Sequence, residues 1–155
     1  MSIENSSKKL PNDLIGVAGV HFAVSVLTLR GLIALPTIRN TAGIDILVSE
    51  PDGSGQASLQ VKTSLKKVNF WPTSHPEKCL KGPRSFYLFL RYLPEEMRFE
   101  PFLEAGDEVA KQVLKNLEDY KARGKKEFPY WALPSNDNEI QKLRERWEAW
   151  RPPAI

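Results

Sequence analysis

Apolar residues crowd every face of the first long periodic segment. Leu14, Ile15, Val17, Ala18, Val20, Phe22, Ala23, Val24, Val26, Leu27 and Leu29 fall between Asn12 and Gly31 with few polar positions among them. The spacing predicts a helix that Asn12 or Asp13 caps and that stops at Gly31, buried against a sheet because it has so little polar face. Residues 1–11 are polar and predict a flexible lead. Leu32 to Ile38 reads as a strand, and Arg39-Asn40-Thr41-Ala42-Gly43 as a turn. Ile44 to Glu50 and Gln56 to Ser64 are two strand-like runs around Pro51-Asp52-Gly53-Ser54-Gly55, a strong hairpin signal.

Centring that hairpin between Gly53 and Ser54 pairs Ile46 with Val61 and Val48 with Leu59 on one apolar face. It sets Asp45 across from Lys62, diagonal to Gln60, on the other face. Leu65 to Arg84 holds no regular period and is broken by Pro72, Pro76, Gly82 and Pro83, so it reads as a long connection in which Phe70 and Trp71 anchor to the core. Ser85 to Tyr92 is continuously apolar and aromatic, as in a central strand buried on both faces. Arg98 to Leu103 is a further strand that Pro101 pushes to an edge. Asp107 to Arg123 and a segment from Asp137 to just before Pro152 follow as helices, with Trp147 and Trp150 on the core side of the last. The order predicts a small α/β or α+β domain over residues 12–155, its four or five strands covered by helices.

A length of 155 residues suits one domain with a real core, and 41% hydrophobic against 26% charged residues excludes wholesale disorder. The apolar stretch from Leu14 to Leu35 is interrupted by glycines, His21 and Arg30, so no bilayer-spanning segment, and no signal peptide, is expected. A single cysteine, Cys79, excludes a disulfide framework and fits a reducing cytoplasm. The net charge of +3 decides little. Its distribution matters more: Lys62, Lys66, Lys67, Lys78, Lys81 and Arg84 face only Glu77 over that stretch, a surface able to attract phosphate backbones as well as a plain solvated loop.

Asp45 with Gln60-Val61-Lys62 is the constellation with chemical content. A hard cation such as Mg2+ or Mn2+ takes oxygen ligands, here a carboxylate, an amide carbonyl and the Val61 main-chain carbonyl. A neighbouring lysine can balance charge growing on a phosphate. The plain alternative is a cross-strand Asp45–Lys62 ion pair, nearly neutral in energy.

The succession GVAGVHFAVSVLTLRGLIALPT, NTAGIDILV, ASLQVKTS and SFYLFLRYL, over roughly residues 13 to 92, resembles the PD-(D/E)XK nuclease superfamily. Its most specific parts are Gly43-Ile44-Asp45 and Leu59-Gln60-Val61-Lys62-Thr63-Ser64, with glutamine in the position that it occupies in Mrr-like restriction enzymes. The resemblance implies a restriction-endonuclease-like fold with a central mixed sheet and an N-terminal first helix. It also implies hydrolysis of DNA phosphodiester bonds with a divalent cation, Asp45 binding metal, Gln60 assisting and Lys62 supporting catalysis. Lys66, Lys67, Lys81 and Arg84 then contact nucleic acid. Active members often carry a glutamate on the first helix, where Gly19-Val20-His21-Phe22 has Val20. His21 is the auxiliary candidate as ligand or base, against the commoner role of a partly buried histidine bonded to backbone. Two other readings stay open: an impaired nuclease-fold module that binds nucleic acid, and an inhibitor or antitoxin-like partner acting through a protein interface. A homodimer is compatible with any of the three.

Overall fold

A computed structural model describes residues 10–38, 43–65 and 68–155. Most of the predicted lead and of the Arg39–Gly43 turn, and Lys66 and Lys67 with their binding role, lie outside the described residues. The chain forms α1 (Asn12–Leu29), β1 (Ile33–Pro36), β2 (Ile46–Ser49), β3 (Gln56–Ser64), β4 (Phe70–Pro72), β5 (Ser85–Leu93), β6 (Arg98–Ala105), α2 (Gly106–Ala122), β7 (Tyr130–Ala132) and α3 (Asp137–Ala149). Five strands build the main sheet in the order β1-β2-β3-β5-β6, and β4 pairs with β7 in a separate ribbon. In the main sheet β3 and β5 run parallel and the other neighbours antiparallel, so it is mixed.

Two apolar layers hold the sheet. On one face Ala23 and Leu27 of α1 pack with Ile46, Val48, Leu59, Leu88, Leu90 and Leu103, closed by Trp147 and Trp150 at the C-terminal end of α3. On the other, Tyr87, Phe89 and Phe102 lie beneath Trp71, Trp131, Val109 and Val113. Alternation along β5 feeds both layers at once, which is why its sequence is apolar without a break. Each fully buried large side chain here contributes roughly 1.5–3 kcal/mol. The edge strand β6 is covered by α3, which leaves no long hydrophobic edge open on that side.

The α1 helix approaches the sheet through Gly19. A Cβ on Gly19 would stand 2.3 Å from Thr63 Oγ1, so only glycine lets the helix lie this close to β3. By length and composition α1 is long and apolar enough to cross a bilayer, which the polar interruptions did not suggest. Here it rests on the sheet through Ile15, Gly19, Ala23 and Leu27, while Leu14, Val17 and Leu29 are exposed, so burial is narrower than the sequence predicts.

Several other expectations are corrected. The helix begins after Pro11, whose carbonyl accepts from Ile15 N, and has no side-chain cap; the extended backbone of proline starts the helix without Asn12 or Asp13. The hairpin pairs Ile46 with Leu59 and Val48 with Ala57, two residues from the expected register. Its turn is centred one residue earlier, where Gly53 takes φ +75° and the Asp52 carboxylate accepts from Ser54 N. A shift of two preserves the faces of both strands. The long connection contains β4, and its partner β7 had no sequence signal. Trp71 anchors there as expected, its indole donating to Leu90 O at 3.1 Å, whereas Phe70 is exposed.

Candidate functional site

Asp45 sits where β2 begins to part from β3. Gly43, at φ +71°, turns the chain into Ile44 and Asp45. Thr37 at the end of β1 then clamps the segment: its hydroxyl donates to Ile44 O at 2.5 Å and its amide to Asp45 O at 2.9 Å. From the other side Asp45 N donates to Leu59 O at 2.9 Å. The next amide of β3, Val61 N, donates to the Asp45 carboxylate at 2.7 Å. A side-chain oxygen therefore takes the place of a ladder carbonyl, and the residue that carries it is held through its own amide and carbonyl as well.

The β2–β3 ladder ends at the Ile46–Leu59 pair, so Asp45 lies one residue beyond it and the expected Asp45–Lys62 cross-strand pair does not form. Gln60 and Lys62 stand beside Tyr87 and Phe89 of β5, on the face of the sheet away from α1. Gln60 is half-buried, its Nε2 lying 3.9 Å from where Gly43 would carry a Cβ. Lys62, also half-buried, is close enough that its charge favours ionisation of Asp45. Burial nevertheless raises the Asp45 carboxyl above its ordinary value, outweighing both the Val61 hydrogen bond and the Lys62 charge. A carboxylate held partly out of water beside a cation is more typical of a functional site than of a solvated surface pair.

Asp45 opens onto a cleft of about 500 Å³ between α1 and the β1–β2 end of the sheet. The α1 wall is the stripe Asp13, Gly16, Val17, Val20 and His21, spaced three and four apart as one helical face requires. Val61 lines the opposite wall with Asp45. His21 is exposed on this wall, not partly buried as the commoner role for a histidine predicts. Asp13, read from sequence only as a cap, faces the same cleft; the helical spacing from Val20 back through Val17 and Gly16 would have located it. Val20 is half-buried in the wall.

The remaining basic candidates stand apart from this cleft. Lys81 lines a depression beside α2 with His75 and Glu118. Arg84 borders an apolar groove of about 320 Å³ with Leu35 and Leu47, and its carbonyl accepts from Ser58 N at 2.8 Å. Among the described residues no three His, Cys, Asp or Glu side chains converge on one point. Cys79 is buried, and that burial pushes its thiol up, so it offers no activated nucleophile.

No protein-family model matches this sequence, and no curated protein does. Among solved structures, the chain is similar to a bacterial homing endonuclease, I-Ssp6803I, with a TM-score of 0.51 and 12% identity over 89% of each chain. At that identity the likeness is one of architecture: the chain has a mixed α+β fold, with an N-terminal first helix and a five-stranded mixed sheet, that an endonuclease also uses.

Proposed function

We propose that the chain is a divalent-metal-dependent nuclease of the PD-(D/E)XK type, hydrolysing phosphodiester bonds in DNA at the Asp45 end of the sheet. The observation that carries this reading is the Asp45 carboxylate, pinned by Val61 N, raised by burial and lining an open cleft, with the Lys62 charge near enough to favour its ionisation.

The donor set suits a loosely held hard cation. One carboxylate with the Gln60 and Val61 carbonyl oxygens cannot form a protein cage, but Mg2+ is commonly held by one or two carboxylates, its own waters and substrate phosphate oxygens. When bound, the cation would supply charge for a phosphate in the cleft. Lys62 would supply a point charge at the same end of the sheet, able to balance negative charge growing on a phosphate held beside Asp45. His21, which lines the same cleft, would be the auxiliary group to orient or take a proton from the attacking water. Arg84 and Lys81 would hold the polyanion further out, weakly and in a salt-dependent way. Such charges position the substrate and carry no base information.

A second reading has one specific observation behind it. Val20 occupies the helix wall of the Asp45 cleft, where a further carboxylate would strengthen cation binding, as expected of a scaffold that binds nucleic acid without efficient cutting. Cleavage of plasmid and single-stranded DNA with Mg2+ or Mn2+ separates the two. Metal-dependent cutting by the wild type, lost in Asp45→Ala, supports the nuclease. Salt-sensitive DNA binding with no cutting under either metal supports the binder.

A further inference from the structure

An exposed aromatic cluster lies on the outer side of the β4–β7 ribbon. Phe70 and Phe128 remain 42% and 37% exposed. Phe70 meets Phe128 and Tyr130 edge-on at 6.2 and 5.9 Å, Phe128 stacks on Tyr130 at 5.8 Å, and Tyr120 of α2 closes the group against Tyr130 at 5.6 Å. Alternation along β4 explains the arrangement: Trp71 turns inward to the core and its neighbour Phe70 turns out. Outward aromatics on a ribbon this short are costly to leave wet unless something stacks on them.

A cationic run is delivered to the same place. Lys121, Arg123, Lys125 and Lys126 are all exposed and follow one another with no acid among them, although Glu118, Asp119 and Glu127 flank the run. Gly124 makes the delivery possible. At φ +64° it turns the chain back at the end of α2, with Gly124 N donating to Lys121 O and Lys125 N to Tyr120 O. The turn sets Lys125 Nζ 5.6 Å above the Tyr120 ring. Exposed aromatic faces beside clustered cations suit a polyanion that also presents flat unpaired rings.

The geometry points to the Phe70–Phe128 cluster as a platform for single-stranded nucleic acid, its bases stacking on the rings and its phosphates meeting Lys121, Arg123, Lys125 and Lys126. Duplex DNA, with its bases already stacked on one another, cannot use the rings in this way. The ribbon that carries the platform packs on the sheet through its inward face. Tyr130 is followed by Trp131, whose ring stacks on Phe89 at 3.9 Å and 3°, and Phe89 is the strand partner of Lys62. The platform deepens the nuclease reading by naming an unpaired strand as the substrate class, and rests on that reading only for this purpose; binding itself stands alone.

Fluorescence anisotropy of the full chain with a labelled oligothymidylate of about 16 nucleotides, in chelator without metal, tests it. The oligonucleotide binds more tightly than a duplex of equal length. Phe70→Ala and Phe128→Ala each weaken it on the order of tenfold. Phe70→Trp keeps the affinity of the wild type, which a merely structural Phe70 would not explain, and thermal melts confirm that the variants fold. Lys125→Gln with Lys126→Gln lowers the salt slope by roughly 0.7 for each phosphate that is no longer neutralised. No oligonucleotide binding, equal affinity for duplex, or unchanged affinity in both folded alanine variants overturns the platform. Binding of this kind by a wild type that never cuts leaves the platform standing and removes the nuclease reading.

Discussion

The two flanks of the five-stranded sheet treat their surfaces in opposite ways. Around β5 and β6 both faces are closed: Leu88, Leu90 and Leu103 pack under α1 and α3, while Tyr87, Phe89 and Phe102 pack under α2 and the tryptophan pair. Around β1 and β2 the α1 side is closed over Ile46 and Val48, whereas Ile33, Leu35 and Leu47 stay exposed on the other. The candidate carboxylate sits in the second flank, at the point where the β2–β3 ladder gives a main-chain amide to a side chain. Packing that holds the fold is therefore concentrated away from the place where the fold can hold a substrate. Stability and candidate chemistry are separable here, and each flank can be perturbed without the other.

The largest effect belongs to the closed flank. Trp131 is 1% exposed, stacked on Phe89 and packed beside Trp71. Trp131→Ala should cost about 3–5 kcal/mol in urea unfolding, whereas Leu47→Ser in the open flank should stay within about 0.5 kcal/mol. Equal losses would erase the contrast between the flanks.

A smaller effect probes the open flank. Val20→Glu adds a carboxylate to the cleft that Asp45 and Asp13 already line, and Mn2+ affinity, read by calorimetry, should tighten by about tenfold because ligand charge tunes hard-cation binding. Unchanged affinity would mean that position 20 does not face the cation.

The smallest effect is on stability at Asp45 itself. Burial raises its carboxyl in the folded chain above the unfolded value. Below the unfolded value both states keep the proton, so aspartate and asparagine behave alike there. Above the folded value the carboxylate is ionised in both states, and the folded chain bears the cost of hiding the charge. Asp45→Asn should therefore raise Tm near neutral pH, with the gain vanishing as pH falls through the folded and then the unfolded carboxyl value. A gain that does not change with pH would contradict this origin.

Much of the fold was legible where the period was long. The unbroken run of β5 announces its burial on both faces and β3 spans the predicted Gln56 to Ser64, whereas the apolar circumference of α1 announces a helix but overstates how much of it is covered. The ribbon was not legible. Phe70–Pro72 and Tyr130–Ala132 are three residues each, too short to show a period, and they meet across a long stretch of intervening chain. Of the candidate site, the hairpin that carries its residues was legible, and a register error of two leaves the parity of β2 and β3 intact. The site was not legible in its neighbours: Asp45 leaves the ladder to line the cleft beside α1, whereas Gln60 and Lys62 stand with Tyr87 and Phe89 on the other face of the sheet. Asp13 went unnoticed because capping explained its residue type equally well.

If the Asp45 end of the sheet cuts phosphodiester bonds, Lys62 is a working charge there and not a bystander. The decisive measurement is the rate of supercoiled plasmid cleavage in Mg2+ by the wild type, by Lys62→Ala, and by Arg98→Ala on the far edge strand as a handling control. Lys62→Ala should lose about a hundredfold or more of the rate while its melting temperature barely moves and Arg98→Ala cuts like the wild type. Equal cutting by all three proteins, or none by the wild type, would contradict the nuclease reading.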